Sequence, residues 1–159
     1  MPKDKALDRT DRKILELLQQ DGRLSNVDLA RSVNLSPTPC LERVRKLERD
    51  GYITGYVALA DPAKLNANTV AFIQVLLTNT SSSNLREFNK EMRRLQEVES
   101  CHMVAGGFDY LLKIRCADMM DYQHFLGEKL AAIPLVAQTH TYVVIEEVKS
   151  ETAISLANL

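Results

Sequence analysis

Apolar residues recur at helical spacing through the first fifty positions and then change to strand spacing. Ile14, Leu15, Leu17 and Leu18 share one face of a helix expected from about Asp8 to Gln20, with Asp8 and Asp11 near its positive end and Asp21-Gly22 as its stop. A second helix starts at Ser25, whose hydroxyl can cap free N–H groups, with Asp28 at the reciprocal position. Leu24 and Leu29 occupy the two positions of a hydrophobic staple. Asn34 suits a left-handed stop. Ser36 then caps a third helix with Pro37 at its first position, where the missing N–H costs nothing, and Gly51 ends it. Tyr52–Leu59 reads as extended, a short strand followed by a linking strand, and Asp61-Pro62 as a turn at a domain boundary. Residues 1–6 read as a loose tail.

Beyond the turn the pattern alternates. Thr69–Leu77 is a strand rich in β-branched and apolar residues, and 79–84 is a polar loop. A helix follows with Leu85, Phe88, Met92 and Leu95 on one face. Glu99–Val104 and Tyr110–Arg115 are strands around a Gly106-Gly107 turn. Asp118 caps a helix burying Tyr122, Phe125, Leu126, Leu130 and Ile133, Pro134 ends it, and Gln138–Ile145 is the last strand. The order β-α-β-β-α-β is the split βαβ, or ferredoxin-like, pattern. The expected fold is therefore α+β. A winged-helix-like helix-turn-helix domain (residues 1–55) is followed by a linker (56–66), a ferredoxin-like domain (67–149) and a tail (150–159).

A ferredoxin-like sheet keeps both helices on one face. Here the first strand is apolar on both, with Val70, Phe72 and Leu76 opposite Ala71, Ile73, Val75 and Leu77. The last strand repeats this with Tyr142 and Val144 against Val143 and Ile145. Such strands usually pack on both sides, so the free face is expected to meet a second copy across a two-fold axis.

Charge is nearly balanced overall but uneven. Residues 1–60 hold 11 Lys/Arg and 9 Asp/Glu, and residues 61–159 hold 9 and 12, so only the first part suits an anionic partner. Cys40, Cys101 and Cys116 are widely spaced and odd in number, which predicts reduced thiols in a cytoplasmic protein. No apolar run reaches the roughly 18 residues a membrane span needs, and no secretory leader is visible.

The third helix, about 14 residues or roughly 20 Å, fits across a major groove. Cys40, Leu41, Val44 and Leu47 face inward, while Arg43, Arg45, Lys46 and Arg49 face outward with Thr38 and Glu42. Residues near the start of such a helix reach base edges and later ones reach backbone. Ser36, Thr38, Glu42 and Arg43 are thus the candidate base readers, and Arg45, Lys46 and Arg49 the phosphate clamps. The alternative is a solvated helix held by Glu42–Lys46 and Arg45–Glu48 pairs. The capped helix and tight turn before it favour DNA, and a dimer would present two such helices to a two-fold site.

The blocks LSPTPCLERVRKLERDGYITGY (Leu35–Tyr56), FDYLLK (Phe108–Lys113) and TYVVIEEVK (Thr141–Lys149) closely resemble the Lrp/AsnC, or feast/famine, family of transcriptional regulators, over about Leu7 to Lys149. The resemblance implies a bacterial or archaeal DNA-binding regulator of amino-acid metabolism genes, cytoplasmic and nucleoid-associated. Its partners would be double-stranded promoter DNA and a small amino-acid effector, leucine-like or other. It would form a homodimer able to assemble to an octamer and need no cofactor or metal. In this family the effector lies between dimers, which maps here onto Met103, Gly106, Gly107, Phe108, Asp109 and Tyr110, with Thr141, Tyr142 and Val143 from the last strand. Glycines admit close backbone approach, Asp109 can take an ammonium, and Met103 and Val143 can contact an aliphatic side chain. The alternative for the loop is a tight turn with Asp109 bonded to backbone.

Two departures stand out. Gly107 replaces the Asp usual in the leucine-sensing branch, and the tail SETAISLANL lacks basic character. A pathway-specific activator of one catabolic operon would look much the same. A haem-pathway decarboxylase-like enzyme finds little support, since His102, His124 and His140 lack ligand spacing and the neighbours Cys101 and His102 point to opposite faces of a strand. An amino-acid sensor without DNA function is the third reading.

Overall fold

The computed structural model describes residues 7–156, so the loose tail expected over residues 1–6 lies outside the described residues. Among the described residues the chain divides into two compact units, residues 7–59 with 149–156 (the head) and residues 60–148 (the sheet unit).

The head is built from α1 (Arg9–Gln20), α2 (Asn26–Ser32) and α3 (Pro37–Arg49). Their ends follow local chemistry. Asp8 caps α1, with its carboxylate accepting from Asp11 N–H at 2.8 Å. Ser25 caps α2, its Oγ accepting from Asp28 N–H at 3.1 Å and its hydroxyl donating to Asp28 Oδ2 at 2.6 Å. Ser36 stands at the cap of α3 but makes no side-chain bond there, so Pro37 at the first position, rather than a hydroxyl, marks the start. Asn34 (φ 55°) and Gly51 (φ 79°) take the left-handed conformation that stops α2 and α3. Ile14, Leu15, Leu29, Ala30, Cys40 and Leu47 form the core, with Leu17, Leu18, Val44, Ile53 and Leu156 packed against it.

Tyr52–Leu59 differs from its expected strand. It pairs with no strand among the described residues; Val57 and Leu59 are exposed, and Tyr56 is about half covered. The turn after it is present, with Asp61 Oδ1 accepting from Ala63 N–H at 2.9 Å and Asn66 at φ 53°.

The sheet unit runs β1 (Thr69–Leu77), α4 (Ser82–Met92), β2 (Val98–Met103), β3 (Tyr110–Cys116), α5 (Met119–His124), a π-helical turn (Phe125–Leu130) and β4 (Val136–Val143). Strand order is β2-β3-β1-β4, antiparallel throughout, as the split βαβ pattern requires. Ala71, Ile73, Val75 and Leu77 alternate onto the helical face. There they meet Tyr110, Leu112 and Ile114 of β3, Phe88 and Met92 of α4, and Tyr122, Phe125 and Leu130.

The second helix is not one continuous α-helix. Phe125 and Leu130, both buried, would lie about 140° apart on α-helical geometry. Winding as a π-helix, with Ala131 N–H bonded to Leu126 C=O at 2.9 Å, brings residues five apart toward one side. The last strand ends at Val143, two residues before its expected end.

The other face of the sheet is less apolar than β1 alone suggests. Val70 is buried and Phe72 half-buried. Beside them Lys113 and Arg115 of β3 hold Glu99 and Glu147, with Lys113 Nζ 2.7 Å from Glu147 and 3.3 Å from Glu99. Leu76 and Tyr142 are exposed.

Cys40, Cys101 and Cys116 are free thiols, and burial pushes each above the usual thiol value.

Candidate nucleic-acid interface and effector residues

α3 is held on its inner side by Cys40 and Leu47. Its start is tied to α2 by Asn26, whose amide Nδ2 donates to Pro37 C=O at 2.8 Å. That bond sets the entry of the helix, and the sequence pattern does not announce it. The helix leaves Ser36, Thr38, Glu42, Arg45 and Arg49 exposed along one side. Among the described residues the pairs Glu42–Lys46 and Arg45–Glu48 do not form, and Arg45 makes no ion pair. Glu48 instead accepts a 3.0 Å hydrogen bond from Tyr56 Oη. Burial first, and Glu48 second, push that phenol up to about 12.

Arg43 departs from its expected place. Its guanidinium turns back to α1 and donates to Asp8 Oδ2 and Asp11 Oδ1, both at 2.6 Å. The Asp11 side chain is only 4% exposed, and Lys46 Nζ lies 4.0 Å from its other oxygen. The backbone N–H of Asp11 and then Arg43 hold the Asp8 carboxyl below its usual value, while Asp8 and then Asp11 raise Arg43. Arg43 is therefore a fastener between α1 and α3 rather than a free base reader, and Lys46 is half engaged. The pattern held a signal for this. Asp11 stands one turn before Ile14 and Leu15, and Arg43 lies between Cys40 and Leu47, so both charges fall on buried stripes. A buried carboxylate needs a cation.

The residues mapped to the effector do not come together within one chain. Asp109 is engaged, since its Oδ2 accepts from Leu77 N–H at 2.7 Å and its N–H donates to Val75 C=O at 3.0 Å. The carboxylate thus closes the corner where the β1–β4 register shifts. Tyr110 is in the core, its ring 4.5 Å from that of Phe88. Thr141 shares a 2.7 Å hydrogen bond with Tyr122 on the helical face, while Tyr142 points to the opposite face.

Met103 and Val143 are exposed, at 64% and 46%. They lie on the two edge strands and four residues apart along the sheet, since Met103 is in row with Tyr110 and Val75, and Val143 with Ala71. Three strand spacings and four residue rises separate them by about 20 Å. Gly106 and Gly107 are exposed, take no positive φ and have nothing within 4 Å of where a Cβ would stand, so the turn itself does not demand glycine. Phe108 is half-buried.

An open cleft of about 250 Å³ lies elsewhere, lined by Asp61, Asn68, Val70, Arg115, Val144 and Glu147. Its one guanidinium is already bonded to Glu99, to Glu147 at 3.3 Å and to Ala67 C=O at 3.2 Å.

Two family profiles match the chain in order, a winged helix-turn-helix DNA-binding domain over residues 7–54 and the Lrp/AsnC ligand-binding domain over residues 70–154. The leucine-responsive regulatory protein of Escherichia coli K12 is 51% identical over 150 residues, covering 94% of this chain and 92% of that protein. A transcriptional regulator of Neisseria meningitidis, solved as an L-Met complex, superposes with a TM-score of 0.91 at 38% identity, covering 96% of this chain and 98% of its own. Escherichia coli AsnC superposes at 0.85 with 27% identity, covering 93% and 98%. With both modules matched in order, and half the residues shared along nearly the whole length, the chain belongs to the Lrp/AsnC family.

Proposed function

We propose that this protein is a DNA-binding transcriptional regulator of amino-acid metabolism genes whose operator occupancy responds to a small amino acid. The observation that carries the reading is α3, a rigidly seated helix with Ser36, Thr38, Glu42, Arg45 and Arg49 exposed along one side and Arg45 unpaired among the described residues. Ser36, Thr38 and Glu42 face base edges, and Arg45, Lys46 and Arg49 take phosphates. The leucine-responsive relative and the L-Met complex support the effector class.

The effector site is shared between copies. Met103 and the Gly106-Gly107 loop come from one chain, and the end of β4 near Val143 from another, because a single chain holds them about 20 Å apart. Glycines that the turn does not need leave room for a ligand or a second copy. Phe72, Leu76 and Tyr142 on the free sheet face, and the unpaired 52–59 segment, suit a homodimer able to assemble to an octamer. We place this activity in the cytoplasm, at the nucleoid; no described helix is long and apolar enough to cross a membrane.

Mobility shift of the protein's own upstream DNA, with and without a panel of amino acids and with mass measured in parallel, tests the reading. The expected result is a shifted complex altered by at least one amino acid. Replacing Arg45 and Lys46 with Ala removes the shift and leaves amino-acid binding intact. Amino-acid binding by the unaltered protein with no shift of any promoter fragment would leave a sensor instead.

A further inference from the structure

We propose that α1 of the head carries a peptide-binding site for the chain's own C-terminal segment, 149–156, and that this docking conveys effector-dependent change from the sheet unit to the head. The second half rests on the DNA-binding reading above; the first does not.

The site is built from one side chain and one apolar patch. Gln19, on the last turn of α1, uses both ends of its amide on a single tail residue. Its Nε2 donates to Ile154 C=O at 3.1 Å, and its Oε1 accepts from Ile154 N–H at 2.6 Å. That paired exchange is what a neighbouring strand residue supplies in an antiparallel ladder, so the glutamine reads backbone and not a side chain. Leu156 then packs against the head core, the cluster that includes Ile14 and Leu15 of α1. Ile154 itself is 70% exposed, so it contributes backbone rather than burial. The segment has no secondary structure of its own, yet it groups with the head and not with the sheet unit from which it emerges.

The chain therefore passes between the units twice, after Leu59 and before Lys149. The second passage is short. Glu147 is held by Lys113 and Arg115 of β3, and Val144 N–H bonds Val70 C=O at 2.9 Å. From Glu147 to Ile154 the chain can span at most about 25 Å. A displacement at the end of β4, where Val143 is mapped to the effector, thus reaches α1 through a short tether as well as through residues 59–60. Asp11, the partner of Arg43, lies on the same α1 helix as Gln19.

Hydrogen exchange on the full-length protein tests the docking. The Ile154 amide should be protected about tenfold or more over its Gln19→Ala variant, and Leu156→Ala should reduce protection without abolishing it. An Ile154 amide that exchanges freely in the unaltered protein, or equally in Gln19→Ala, overturns the site. For the coupling, operator affinity is measured with and without L-leucine and L-methionine in three proteins: full chain, a chain ending at Ser150, and Gln19→Ala. The altered proteins should bind operator within about threefold of the full chain when no amino acid is present. They should lose most of an amino-acid response expected within the 5–150-fold range usual for linked sites. An undiminished response in both altered proteins refutes the coupling. Failure of the full chain to bind any operator would remove the coupling with the DNA reading, while Ile154 protection would still establish the docking.

Discussion

Replacing Arg43 by Ala separates a fastener from a DNA-gripping side chain. In the folded head the guanidinium satisfies a carboxylate that is 4% exposed, through a 2.6 Å bond to Asp11 Oδ1. Breaking a buried pair by removing one partner typically costs about 3–5 kcal/mol. Two features reduce that here. The Arg43 side chain is itself 34% exposed, and Lys46 Nζ, 4.0 Å from Asp11, can move in. The second bond, to the half-exposed Asp8, adds at most about 1 kcal/mol. The head should lose about 2–3 kcal/mol, in the range measured for hydrogen bonds to charged groups. Native-state hydrogen exchange of the Cys40 and Leu47 amides would measure it, and a loss below about 0.5 kcal/mol would refute the assignment. DNA binding gives an independent reading. At concentrations where the head stays folded, Arg43→Ala should weaken affinity without changing the log–log dependence on salt. Arg45→Ala should make that slope shallower by about 0.9 for each phosphate the protein no longer neutralises. A slope that moves with Arg43 and not with Arg45 would reverse the two roles.

The corner closed by Asp109 should weaken by about 1–3 kcal/mol in Asp109→Ala, which strands Leu77 N–H, and recover in Asp109→Asn, whose oxygen still accepts; urea denaturation distinguishes the two. Asp8 is depressed by the Asp11 N–H and Arg43, and Glu147 by Lys113 and then Arg115. Because both fold with lowered values, their contribution is present above the unfolded values of 3.8 and 4.5 and is lost as pH falls through the folded ones, so stability followed by circular dichroism should decline below about pH 4.5 and not near neutrality. Phe72→Glu, on the free face of β1, should shift the measured mass toward a single chain by light scattering, whereas Arg45→Ala should leave mass unchanged.

Helix boundaries are legible in the sequence because their causes are local. Ser25 with Asp28, Asp118, Asn34 and Gly51 act within a few residues of themselves, and each stands where the pattern places it. The element order β-α-β-β-α-β follows from the change between strand and helical spacing, and the split βαβ pattern it matches carries the observed strand order. What escapes depends on distant partners. Tyr52–Leu59 has the composition of a strand, but nothing within the described chain pairs with it. The π-turn has the same apolar residues as an α-helix and differs only in which two must face inward. Charge alone sends Arg43 to the groove, although its position on the buried stripe points to Asp11. Family resemblance carries the effector residues over as a set. The sheet register separates them, with Tyr110 in the core, Asp109 bonded to Leu77 and Tyr142 on the opposite face from Thr141.

The free thiols give each unit its own clock. Cys40 is enclosed in the head, and Cys116, with the half-covered Cys101, in the sheet unit, and enclosure raises all three so that thiolate is scarce at neutral pH. An alkylating reagent would be consumed only as fast as each compartment breathes open, so adduct mass on peptides bearing Cys40 or Cys116 would time the loosening of one unit independently of the other.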